Sequence, residues 1–147
     1  MKTFFMLLII TLFIGCQKAN PVDSSTSTTP VKTDPIVSIA YDTVHNFGGI
    51  RIGQFGVQVL HISNISTDSN AILIIHVTVT NTPTDSSFSL YTSVSDYRII
   101  PNDSVTIRVS FSPTKVGYHL GSLYIEHNAT KQNSPIIIPL QGNAFLQ

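Results

Sequence analysis

The chain has 147 residues, a formal net charge of zero and only 11% charged side chains, well below the ~25% of an ordinary soluble domain. That balance supplies no basic face for nucleic acid and no acidic tail for a basic partner. Glutamate occurs once, at Glu126, while Ile, Val, Thr and Ser abound, so strand formers outnumber the straight-chain residues that line helix surfaces.

Lys2 precedes an apolar run of 11 residues from Phe4 to Ile14, interrupted only by Thr11. The run falls short of the roughly 20 residues that a helix needs to span a bilayer and matches the h-region of a secretory signal. It ends in Phe13-Ile14-Gly15-Cys16, and Cys16 is the only cysteine of the chain. These residues resemble the bacterial lipobox, with Phe13 standing where Leu is usual. The resemblance implies cleavage after Gly15 and a diacylglycerol on Cys16, which would tie the protein to a membrane. An ordinary secreted protein with a cysteine near its cleavage site is the plainer alternative. A lone thiol in an oxidising compartment invites stray pairing, and lipidation removes it. More than one acyl chain, at ~0.8 kcal/mol per buried methylene, makes a durable anchor. Gln17 in place of Asp resembles the outer-membrane class of enteric lipoproteins, with periplasmic or surface exposure left open.

Three segments follow: a signal over 1–15, a lipidated cysteine with a Ser/Thr/Pro tether over 16–35, and a globular domain over 36–147. Asn20 to Pro30 holds almost nothing to bury, so it reads as a flexible spacer with an r.m.s. reach of about 24 Å. A glycosylated stalk at Ser24–Thr29 is the alternative.

From Ile36 on, strand signals recur at the spacing of a sandwich. Expected strands are Ile36–Tyr41, Phe55–Ser63, Ala71–Thr80, Ser87–Thr92, Tyr97–Ile100, Ser104–Ser112, Leu120–His127 and Ile136–Leu140. Ser104–Ser112 alternates most cleanly, with Val105, Ile107, Val109 and Phe111 on one face and Thr106, Arg108, Ser110 and Ser112 on the other. Pro139 cannot donate to a ladder, which predicts an edge position or a bulge. The fold class is all-β, an immunoglobulin-like antiparallel β-sandwich of about 7–9 strands.

Asn46-Phe47-Gly48, Ile52-Gly53, Leu60-His61-Ile62-Ser63-Asn64, Ile100-Pro101-Asn102-Asp103-Ser104, Val109-Ser110-Phe111-Ser112-Pro113-Thr114, Gly117–Leu123, His127-Asn128-Ala129 and Ile138–Ala144 occur in one order. In that order they resemble the ASH or Hydin-like domains, known in bacterial proteins as choice-of-anchor D. The resemblance covers Asn46–Ala144 and implies a sandwich related to major-sperm-protein and pilus-chaperone-like domains. It also makes Asn46-Phe47-Gly48 and Ile52-Gly53 turns, and it puts Asn102 where the family usually has Gly.

The five histidines, His45, His61, His76, His119 and His127, show neither H-x-H nor H-x-x-x-H spacing, so no metal site is expected. No G-x-S-x-G elbow, phosphate loop or cofactor motif occurs. A Ser/His/Asp triad assembled in space remains the one route to a hydrolase.

Tyr91, Tyr97, Tyr118 and Tyr124, with Tyr118 and Tyr124 foremost, offer a partner surface or else cover the outer sheet. Ala71–Val79 is apolar in both phases, with Ile72 and Ile74 opposite Leu73, Ile75, Val77 and Val79; it needs cover on both faces or marks an interface. The leading reading is a membrane-anchored, non-catalytic binding or structural module of the bacterial envelope, meeting an envelope protein or surface ligand. The alternative is an accessory subunit of an envelope or secretion complex docking by an edge strand.

Overall fold

Strict alternation of apolar and polar residues gives the long strands one buried and one wet face. In β7 (Ser104–Phe111), Ile107, Val109 and Phe111 are buried and Arg108 is exposed. β8 (Gly117–His127) buries His119, Leu123 and Ile125 and turns Tyr118, Leu120 and Glu126 out. The remaining strands are β1 (Val37–Ala40), β2 (His45–Arg51), β3 (Gly56–Asn64), β4 (Leu73–Asn81), β5 (Phe88–Leu90), β6 (Asp96–Ile99) and β9 (Ile136–Phe145). They form a four-stranded sheet, β1-β3-β7-β5, and a five-stranded sheet, β2-β9-β8-β4-β6. The structure, a computed structural model, describes residues 33–40, 45–92 and 94–146. Cys16, the signal and the tether as far as residue 32 lie outside them.

The all-β sandwich expected from the sequence is present, with three differences in its elements. Asn46-Phe47-Gly48 is not a turn but part of β2. The register against β9 shifts between Asn46 and Gly49, and Gly48 takes a φ of 67°. The glycine absorbs a β-bulge inside a strand rather than ending one. β2 also runs parallel to β9, while every other pairing is antiparallel. The last strand continues five residues past Leu140 to Phe145. Among the described residues, β2 pairing starts at His45↔Leu140, so Pro139 faces only Ser122 of β8.

Phe47, Phe88 and Phe111 form an aromatic cluster between the sheets, with ring centroids 4.8–5.6 Å apart. Two glycines of the five-stranded sheet make room for it. A Cβ on Gly142 would lie 2.5 Å from the Phe111 ring, and one on Gly121 would lie 2.9 Å from that of Phe88. Around the cluster pack Leu60, Ile62, Leu73, Ile75, Val77, Leu123, Ile125, Ile138 and Leu140, all fully buried.

Asn64 ends β3 with no exposure to solvent. Its amide nitrogen donates to Ala71 O at 2.7 Å and Ile99 O at 3.0 Å. Its side-chain oxygen accepts from the backbone N–H and hydroxyl of Ser66, and Ser66 Oγ accepts in turn from Ile36 N–H. Its backbone N–H donates to Asp103 O and its carbonyl accepts from Asn102 N–H. Asn102 adopts a φ of 62°, a left-handed conformation that Asn tolerates in a turn.

Phe111→Ala is expected to cost about 3–5 kcal/mol, read by chemical denaturation, because the glycine floor beneath the ring cannot move up to fill the void. Asn64→Asp, nearly isosteric, is expected to cost about 2–4 kcal/mol by the same measurement: a carboxylate cannot donate to the two buried carbonyls and places charge against them.

Candidate binding face

β8 turns Tyr118, Leu120, Ser122, Tyr124 and Glu126 to the outside of the five-stranded sheet because side chains alternate along a strand. The register sets Tyr118 opposite Asn143, Leu120 opposite Gln141, and Tyr124 between Ile137 of β9 and Thr78 of β4. Tyr118 is 68% exposed, Leu120 and Ile137 are each 52% exposed, and Phe145 is exposed further along β9. The two tyrosines singled out in the sequence therefore share one face with Leu120 and Ile137. Leu120 lies on the phase already assigned to Tyr124. Phe145 belongs to the part of β9 that the sequence left unpredicted.

Ile74 is also exposed on this face, with Ile72, half-buried, just ahead of β4. A charged row separates them from the tyrosines: Glu126 pairs in register with His76, and His76 pairs with Asp96, Nδ1 to Oδ1, at 2.7 Å. Asn128 holds the main chain of both isoleucines, bonding Ile72 O and the N–H and carbonyl of Ile74. Leu73, Ile75 and Val77 fill the core, so the doubly apolar strand is central in its sheet, with Ile74 open to solvent. Tyr97 leans on the core and donates to Val94 O, and Tyr91 lies on the other sheet beside Phe55.

Asp85, Ser87 and His119 do meet in space. Asp85 Oδ2 lies 2.6 Å from His119 Nδ1, Ser87 Oγ lies 3.0 Å from the same nitrogen, and Lys115 O takes Nε2 at 2.9 Å. A catalytic triad places its serine and its acid on opposite nitrogens of the imidazole. Here both share one nitrogen, a carbonyl occupies the other, and the serine hydroxyl donates to the acid. Ser87 is buried, with 3% exposure. The cluster staples the loop before β5 to β8. Among the described residues, no group of three or more His, Cys, Asp or Glu side chains is placed to hold a metal ion.

Two sheets of this topology, closed over one core and built without helix in the described residues, define an ASH/PapD-like domain of immunoglobulin type. The chain belongs to the family described as Cep192 domain 4, whose model matches residues 40–144. It is similar to the ASH/PapD-like domain 7 of human CEP192, with a TM-score of 0.61 and 14% identity, covering 84% of this chain and 96% of that one. It is also similar to a chain of the CsuC–CsuE chaperone–tip adhesion subunit pre-assembly complex of Acinetobacter baumannii Csu pili. That match has a TM-score of 0.51 and 11% identity, over 76% of this chain and 52% of that one. The Vibrio cholerae VesB protease matches with a TM-score of 0.51 and 13% identity, over 73% of this chain but only 31% of the protease. At these identities the likeness is one of fold. No curated protein matches the chain.

Burial opposes the charge on Asp85, but hydrogen bonds from Ser87 and His119, with the attraction of a charged His119, outweigh it and hold its carboxyl below the ordinary 3.8. Because the folded value is the lower one, this contribution to stability is complete above 3.8 and is lost as the pH falls through the folded value. Thermal melting from about pH 5 to pH 2 is expected to show Asp85→Asn less stable than the parent at the upper end and converging on it at the lower.

Proposed function

We propose that the chain is a membrane-anchored, non-catalytic binding or structural module of a bacterial cell envelope. In this reading residues 1–15 are a lipoprotein signal, Cys16 carries the lipid, residues 16–35 are a tether, and the sandwich over 36–147 meets a protein partner. The observation that carries it is the single cysteine at the end of an 11-residue apolar run, in Phe13-Ile14-Gly15-Cys16. The outer face supports the binding part: Tyr118, Leu120 and Ile137 are exposed there, with Tyr124 half-buried on the same face, and exposed aromatic and aliphatic side chains are what a partner buries. Outer-membrane placement follows from Gln17 under the enteric rule.

An accessory subunit of an envelope complex is the second reading, favoured by the neighbour in the Csu pre-assembly complex, where a domain of this fold occurs with a pilus subunit. β1 and β2 are edge strands among the described residues, the position in a sheet where a partner adds a strand.

Mass spectrometry of the mature N-terminal peptide is expected to find Cys16 as the first residue, carrying diacylglycerol. Cys16→Ser is expected to move the protein from the membrane to the soluble fraction. An unmodified Cys16 within a longer peptide would refute the anchor.

A further inference from the structure

The outer face of the four-stranded sheet is built differently. β3 turns Val57, Val59 and His61 outward, in register with Ser110, Arg108 and Thr106 of β7. Phe55 precedes β3 in the same phase, and Tyr91 follows β5, its N–H donating to Arg108 O. The rings of Phe55 and Tyr91 come together with centroids 6.4 Å apart and planes inclined by 25°. Near-parallel rings at that separation are offset rather than fully overlapped, and Phe55 and Tyr91 remain 60% and 56% exposed.

The surface beside the rings carries hydroxyls. Ser110, in the outward phase, is only 8% exposed, and its Oγ lies 2.8 Å from Ser89 Oγ on β5. Thr106 Oγ1 bonds His61 Nδ1 further along β7. An apolar line of Phe55, Val57 and Val59 thus runs beside a line of Ser, Arg and Thr. Among the outward residues of β3, β5 and β7, only His61 and Arg108 bear ionisable groups.

We propose that Phe55 and Tyr91 form a stacking platform for a neutral glycan. A sugar ring is amphipathic, with an apolar face of C–H bonds and a rim of hydroxyls, and this surface presents the complement of both. The aromatic faces take the C–H face, while Arg108 and Thr106 meet the rim, the planar guanidinium donating to neighbouring hydroxyls. The charge fits this occupant: one arginine and one histidine are too few for a phosphate backbone, and the hydroxyls of Ser89, Ser110 and Thr106 lie beside the apolar line. From Phe55 to His61 the line extends about 20 Å at ~3.3 Å per residue, long enough for an oligosaccharide lying along β3. The platform is on the opposite sheet from Tyr118 and does not depend on lipidation at Cys16.

The test is titration of the purified full chain with cellohexaose, chitohexaose and maltohexaose, followed by calorimetry and by the ring-proton signals of Phe55 and Tyr91. At least one hexasaccharide is expected to bind and to shift those signals. Phe55→Ala and Tyr91→Ala are each expected to weaken binding about tenfold or more, the equivalent of ~1.4 kcal/mol. Tyr91→Phe, which keeps the ring, and Tyr118→Ala, on the other sheet, are expected to bind as the parent does. Thermal melting confirms that each variant folds; should an alanine variant unfold, the ring-proton shifts of the parent decide. Failure of all three saccharides to bind, or undiminished binding by a folded F55A/Y91A double variant, would overturn the proposal. So would an apolar peptide binding at the two rings where no saccharide does.

Discussion

The side-chain amide of Asn64 is the constraint on which the two-sheet arrangement rests. It sits where the chain leaves the four-stranded sheet at the end of β3 and reaches the main chain on both sides of the crossing to β4. It also holds the end of β6, and through its backbone it holds the turn into β7. Two separate passages between sheets are thus tied to one residue. A buried amide in that position is strongly specifying, since both its donors and its acceptor are matched and any other side chain would strand carbonyls away from water. Ser66 extends the network to the entrance of β1.

Above this joint the core is filled by shape as much as by hydrophobicity. Phe88 and Phe111 come from the four-stranded sheet and meet glycines on β8 and β9 of the other. Large residues on one sheet face the smallest on the other, which lets the rings seat directly on the opposite backbone. The Asp85–Ser87–His119 staple fastens the loop before β5 at the edge of this cluster, with the His119 ring 5.3 Å from that of Phe111. Three polar residues that could have belonged to an enzyme are used as a buried fastener.

The two outer sheet faces differ in their side chains. The five-stranded sheet exposes Tyr118, Leu120 and Ile137 with a row of Glu126, His76 and Asp96 beyond them, and the four-stranded sheet exposes the paired rings of Phe55 and Tyr91. Few side chains on either face are charged, in keeping with the 11% of the whole chain.

What the sequence by itself determined is what local pattern encodes. Alternation in Ser104–Ser112 and Leu120–His127 assigned those strands and which side chains point inward, because side-chain direction has a period of two whatever the neighbours are; that Ser110, in the outward phase, is buried was not encoded there. The ordered motifs from Asn46 to Ala144 carried the fold class, and Phe111 was legible as a core residue. Only the tertiary structure decided whatever depends on register across strands. β2 was hidden because Gly48 reads as a turn until its bulge is set against β9. The end of β9 was hidden because Gln141-Gly142-Asn143 alternates small and polar residues, and Gly142 earns its place in a strand only beneath Phe111. The grouping of Tyr118 with Ile137, the pairing of Phe55 with Tyr91, and the shared His119 nitrogen that keeps Ser87 and Asp85 from forming a triad join residues 19–36 positions apart. No local pattern encodes such contacts, because they exist only once the sheets have closed.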